Sequence, residues 1–330
     1  LAALLHDLGH APFSHGAEVL MPIDLATGKR YQHEDYSVAA IFLMKDVIED
    51  HPLNQNYGLT CQRIVDFLTG SPSLGRSLLW RELISGQLDA DRADYLLRDS
   101  HHIGVAYGRF DLPRLLTTIT FTCDPETGSP KLGVEKGGLH AVEGLLIARY
   151  MMFTQVYFHH TRRAYDHHLA AAIKSILRHR SGEEDATFPP PQEIESYLEW
   201  DDWCVFQSLR EGQGGADGEA LLKRGHHRAI HETSDTPSEE ELELCNDICN
   251  QLGELSAFVD DACNSWYKPE KQDILIYWKG QERSLPLSSL SSIINSMKPI
   301  NKRRIYVSSK NKEKAANIVK KLLNREGKFK

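Results

Sequence analysis

No stretch of the 330 residues approaches the roughly 20 consecutive apolar positions that span a bilayer, and no secretory leader pattern precedes the first polar cluster. A membrane protein is therefore not expected, and a cytoplasmic location is. Cysteine is scarce. The six residues, at positions 61, 123, 204, 245, 249 and 263, never adopt the C-x-x-C spacing of zinc ribbons or redox centres, so they read as reduced thiols. Cys245 and Cys249, one helical turn apart, read as part of a buried helix face. No internal repeat is present. Hydrophobic residues at 41% and charged residues at 25% describe an ordinary globular chain, long enough for one large domain with an appendage or for two domains.

Charge is unevenly spread. Residues 298–330 hold twelve Lys or Arg against two Glu, about +10, so with a net charge of −8 the remainder carries about −18. Such a tail suits a phosphate-bearing ligand, an acidic neighbouring subunit or a solvated helix face. It lacks the interleaved aromatic platforms of single-strand binders, so nucleic acid is possible but not favoured.

Helical periodicity dominates residues 1–180. Val38, Ile41, Phe42 and Ile48 mark a core-facing helix over Tyr36–Asp50, and Val142, Leu145, Leu146, Met152, Phe153 and Val156 mark another over Leu139–Tyr157. A β-hairpin is expected where 118–122 and 131–134 flank the turn-forming residues 124–130. The triple proline ending at Pro191 closes a polar loop. Helical patterns resume from Glu193 to about Lys268, and strands are expected at Ile274–Trp278 and Arg304–Val307. The fold class is mostly α, with a core over 1–180, a helical extension over 181–268 and a small basic α+β tail over 269–330.

Two clusters carry chemistry. His6-Asp7-Leu8-Gly9-His10-Ala11-Pro12-Phe13-Ser14-His15 packs three imidazoles and a carboxylate into ten positions, and an adjacent His-Asp pair offers the nitrogen and oxygen donors suited to a water-activating divalent metal. Glu18 follows His15 by one helical turn and suits it as a carboxylate partner, the alternative being a plain helical pair. In the second cluster, Asp91, Arg92, Tyr95 and Asp99 share one helical face: a carboxylate for metal, a guanidinium for phosphate, and two groups able to hydrogen-bond sugar hydroxyls. The alternative for that face is a solvent side laced with ion pairs.

Together these residues, with His33-Glu34, Ser100-His101-His102-Ile103-Gly104 and the stretch from Gln155 to His167, resemble the HD-domain phosphohydrolases. The likeness is to the deoxynucleoside triphosphate triphosphohydrolase (dNTPase/dGTPase) branch of bacterial type. It is specific over about residues 1–180, looser to about 235, and one of general pattern beyond. The resemblance implies an HD-domain helical core and a metal (Mn, Mg, Fe, Zn or Ni) held by His6, Asp7 and Asp91. It implies catalytic roles for His10, His15 and His33, beside which Glu18 stands as the catalytic candidate read from spacing alone, and dNTP contacts from Arg92, Tyr95, Asp99 and either Tyr157 or Tyr165. The family's first histidine ligand would lie upstream of Leu1, so the chain reads as the downstream part of a longer protein.

The implied reaction releases deoxynucleoside and intact triphosphate. The implied assembly is a dimer or tetramer, with a nucleotide activator between subunits. Alternatives within the superfamily are a nucleotidase and a (p)ppGpp hydrolase, although Gly9-His10 stands where the latter carries an acidic pair. A weakly catalytic nucleotide-binding regulator is the alternative outside enzymes. The Gly-Tyr-Pro signature of cyclic dinucleotide phosphodiesterases is absent. His159, His160, His167 and His168 resemble a metal trap but read better as helix-facing histidines.

Overall fold

A computed structural model describes residues 1–264, 267, 273–280 and 283–325. The tail boundary expected at 268/269 and the last residues of the basic tail, 326–330, lie outside these. The described α-helices of nine residues or more are α1 (His33–Leu43), α2 (Cys61–Thr69), α3 (Ala90–Ile103), α4 (Leu139–Met152), α5 (His160–Ser181), α6 (Asp202–Arg210), α7 (Glu239–Leu252) and α8 (Lys312–Arg325). The fold is mostly α with small sheets, as expected. No helix among the described residues is long and apolar enough to cross a membrane.

The chain divides into two compact units, each built from separated segments. Unit 1 comprises Leu1–Gly75 and Arg163–His227. It buries Met21, Tyr36, Ile173, Ile176, Phe188, Tyr197 and Val205 in one cluster. Leu5, Ile41, Cys61, Ile64 and Val65 form a second. Each such aliphatic or aromatic side chain contributes about 1.5–3 kcal/mol when fully buried. The single helix expected over Tyr36–Asp50 is two: α1 ends at Leu43 and a short helix runs Lys45–Glu49. Met44 leaves helical geometry between them, and Phe42 is consequently exposed rather than core-facing.

Unit 2 comprises Arg76–Arg162 and Arg228–Lys330. It contains seven strands among its described residues: β1 (Ile119–Cys123), β2 (Pro130–Glu135), β3 (Arg228–Glu232), β4 (Ser256–Asn264), β5 (Leu275–Trp278), β6 (Arg283–Pro286) and β7 (Ile300–Val307). The expected hairpin is present, Ile119 pairing Val134 and Cys123 pairing Pro130. β5 adds to it in parallel and β6 follows antiparallel, giving the order β1-β2-β5-β6. Gly133 is needed in β2 because a Cβ there would lie 2.7 Å from the Leu275 carbonyl oxygen.

A second sheet has the order β3-β7-β4. Here the reading of 193–268 as helical is corrected: β3 and β4 are strands. Ile305 and Val307 of β7 are buried and pack with Leu244, Ile248, Ala315 and Val319 of α7 and α8, and β3 and β4 supply the flanking ladders. Cys245 and Cys249 belong to this same cluster, Cys245 fully buried.

Candidate active site

The His-Asp loop of unit 1 is fixed from three directions. Ser37 of α1 donates to the His6 carbonyl at 2.7 Å and accepts from the Gly9 amide at 2.9 Å. From residue 197, the tyrosine hydroxyl reaches the Gly9 carbonyl. Gly9 is pressed so closely on α1 that a Cβ would lie 2.1 Å from the His33 carbonyl oxygen and 2.4 Å from the Ser37 nitrogen. Tyr36 and Tyr197 stack at 4.0 Å behind this contact, and burial pushes both phenols up. Ser37, Tyr36 and Tyr197 carry no spacing signal in the sequence.

Beyond Pro12 the backbone reverses through two left-handed residues, Phe13 and Ser14, each with φ of 60°. Left-handed geometry costs a non-glycine residue about 1–2 kcal/mol. The Phe13 amide offsets part of it by donating to Asp202 Oδ1 at 2.9 Å, where Asp202 begins α6. The reversal sets His10 and His15 edge to face with centroids 4.7 Å apart. His33 joins them as the first residue of α1, where Asp35 accepts from the Gln32 amide in a capping box. Its ring stacks on His10 at 4.0 Å.

Glu18 gathers the three rings. Its Oε1 lies 2.8 Å from His33 Nδ1, 2.9 Å from His15 Nδ1 and 3.4 Å from His10 Nδ1. Burial pushes the Glu18 carboxyl up, but the ring donors of His10, His15 and His33 together hold it well below the usual carboxylate range. The Glu18 hydrogen bond, against burial, raises the His15 imidazole. Burial lowers His33, yet Glu18, Glu34 and Asp7 outweigh it and the net shift is upward.

The donor set suits a divalent metal. His6 Nδ1 lies 2.9 Å from the Ala3 carbonyl and so carries the proton; in the neutral ring Nε2 then holds the lone pair, 3.2 Å from Asp7 Oδ2. His10 and His33 turn Nε2 toward Asp7 Oδ1 at 3.8 and 3.9 Å. His10, His15, Glu18 and His33 offer ligand atoms within 4.8 Å of one another.

In unit 2, Asp89 caps α3 through the Arg92 amide at 2.8 Å, and its second oxygen takes Arg92 Nη1 at 2.6 Å. Burial raises the Asp89 carboxyl to about 6 despite Arg92. Arg92 is thus partly committed within its own helix. Asp91 is exposed on the same turn. α4 ends in a π-turn over Phe153–Tyr157, and α5 starts only at His160, so the helix expected over Leu139–Tyr157 stops at Met152 and regular helix resumes three residues after Tyr157. The turn lets Tyr157 donate to Asp99 Oδ2 at 2.8 Å, with the Tyr95 ring 6.1 Å away. Tyr157, Tyr95 and Asp99 therefore assemble. Tyr165 belongs to unit 1, where it faces His226 at 4.8 Å.

His168 is a satisfied buried histidine: Nδ1 lies 2.7 Å from Asp217 and Nε2 accepts from the His227 amide. His167 and His227 rings lie 6.1 Å apart.

The family model described as the HD associated region matches residues 110–327. The chain belongs to this family. A hypothetical protein of Aquifex aeolicus is similar in structure with a TM-score of 0.76 and 30% identity, over 96% of this chain and 78% of that one. An uncharacterised protein of Methanocaldococcus jannaschii is 38% identical over 181 residues, which are 55% of this chain and 34% of the relative. Deoxynucleoside triphosphate triphosphohydrolase SAMHD1 of Gallus gallus is 23% identical over 98% of this chain and 55% of its own length. The chain thus spans between a third and about half of these curated relatives.

Proposed function

We propose that the protein is a divalent-metal-dependent phosphohydrolase that converts deoxynucleoside triphosphates to deoxynucleoside and inorganic triphosphate. The observation that carries this is the Glu18 array, three histidines around one carboxylate beside the His6-Asp7 pair. A bound divalent metal, held by His6, Asp7 and, by the family likeness, Asp91, supplies Lewis acidity and a water of lowered pKa.

The side chains then have distinct tasks. His15 is the general acid: its Nδ1 is engaged by Glu18, its pKa is raised, and its ring is 68% exposed, so it delivers a proton to the leaving 5′ oxygen. Glu18 keeps that ring oriented and protonated. His10 and His33 bind phosphate oxygens. Arg92 contacts the triphosphate, while Tyr95, Asp99 and Tyr157 hold the deoxyribose; Tyr165 is the other candidate for the contact that refuses a 2′ hydroxyl. Assembly as a dimer or tetramer with a nucleotide activator belongs to the same proposal.

Incubation with each dNTP and Mn or Mg, followed by ion-exchange separation, tests the reaction. Release of intact triphosphate, lost in Asp7→Ala and Asp91→Ala, is expected. Pyrophosphate or single phosphates as products would overturn it.

A further inference from the structure

Arg149 is absent from the roles above, yet it is a cation of unit 2 with a buried polar atom that lacks a partner among the described residues. It stands on α4 one turn before Phe153, its guanidinium carbon 5.8 Å from that ring. Phe153 in turn meets Tyr157 edge to face at 5.2 Å, and Tyr157 meets Tyr95 and Asp99. The Arg149 side chain therefore borders the same cluster as the proposed sugar-binding residues. Its Nε is buried with no hydrogen-bond partner among the described residues.

The nearby carboxylate is already engaged. Both oxygens of Asp89 are taken by Arg92, one by its amide and one by Nη1. Burial, and after it the charge of Arg92, work against the charge of Arg149, while the Tyr95 phenol, through its charge and a hydrogen bond, and Asp89 support it. Two guanidiniums thus share one buried carboxylate. A buried guanidinium with one N–H left unsatisfied is unfavourable, and an incoming anion removes the imbalance. Arg92 is about a quarter exposed, so its end of the pair is open to solvent. A planar fork with free N–H groups suits phosphate oxygens better than a point charge does.

We infer that Arg149 is a polyphosphate-binding residue, acting with Arg92 as a two-guanidinium seat on α3 and α4 for the phosphate chain of the substrate. The inference deepens the phosphohydrolase reading and takes the identity of its anion from it. The seat needs no bond to form or break.

Inorganic tripolyphosphate is the probe. Calorimetric titration of the metal-free protein should show affinity falling at least tenfold in Arg149→Gln, with Arg149→Lys intermediate because it keeps the charge but not the fork. Unchanged affinity in a folded Arg149→Gln protein overturns the proposal. A measurement on the wild type stands if that variant does not fold. The Arg149 Nε–H resonance, assigned by its loss in Arg149→Lys, should move on addition of tripolyphosphate, and a resonance unmoved at saturation overturns the seat. Orthophosphate binding as tightly as tripolyphosphate overturns the polyphosphate class. If no dNTP is hydrolysed but tripolyphosphate binding still depends on Arg149, the reaction fails and the seat survives.

Discussion

The Tyr197 hydroxyl donates to the Gly9 carbonyl at 2.7 Å, joining residues 188 positions apart. The bond is buried and lies two residues from Asp7, on the side opposite the Ser37 contact with His6. Tyr197→Phe leaves the Gly9 carbonyl without its donor and is expected to cost about 1–3 kcal/mol. Urea denaturation followed by circular dichroism reads the loss. A midpoint equal to wild type would mean that the loop is held without Tyr197.

Gly9→Ala is expected to be worse, because the added carbon meets backbone rather than a yielding side chain. Overpacking of this kind costs about 1–3 kcal/mol, and occasionally more. The melting temperature should fall by several degrees, together with metal content measured by mass spectrometry. A variant with native melting behaviour and native metal content would contradict the close approach of Gly9 to α1.

The Glu18 array predicts a signed pH response in the metal-free protein. His15 has a folded-state pKa above its ordinary 6.5, so its contribution to stability is full below that pH and fades as pH rises through the raised value. Glu18 has a folded-state pKa below its ordinary 4.5, so its contribution is full above that pH and is lost as pH falls through the lowered value. The array therefore stabilises most between about 4.5 and 6.5. Glu18→Gln should return the His15 titration, followed by NMR, toward 6.5. A His15 curve that does not move would remove Glu18 as its partner.

His227 predicts a second, separate response. Burial, with the charges of His168 and His167, lowers its imidazole to about 4. Its neutral form is the one the fold accommodates, so stability is fully present above 6.5 and declines as pH falls from there through about 4. His227→Gln should flatten the unfolding free energy across this interval. An acid limb as steep as that of wild type would assign the loss to other groups.

The site was largely visible in the chain because its members are close in sequence. His6 to Glu18 spans one loop and two short turns, and His33 opens the next long helix. What holds the loop was not visible. Ser37 and Tyr197 act through single hydrogen bonds to backbone, which impose no residue period, and Arg149 reads as one more polar position on a helix whose other face is apolar. In the fold, α4 and the β1–β2 hairpin announced themselves through period and turn residues. β3 and β4 did not, because their identity as strands depends on pairing with β7, more than thirty residues downstream. The break after Tyr157 was also hidden: the apolar pattern of α4 runs on smoothly through the π-turn.

Unit 1 is discontinuous, its first segment ending at Gly75 and its second beginning at Arg163. The histidines around Glu18 therefore leave the ribosome long before Tyr197, Asp202 and the α5 residues that bury Tyr36 and Met21 have been synthesised. During that interval the histidine-rich loop is an unclamped peptide, and the gathering of its rings around Glu18 waits on the arrival of residues 163–227.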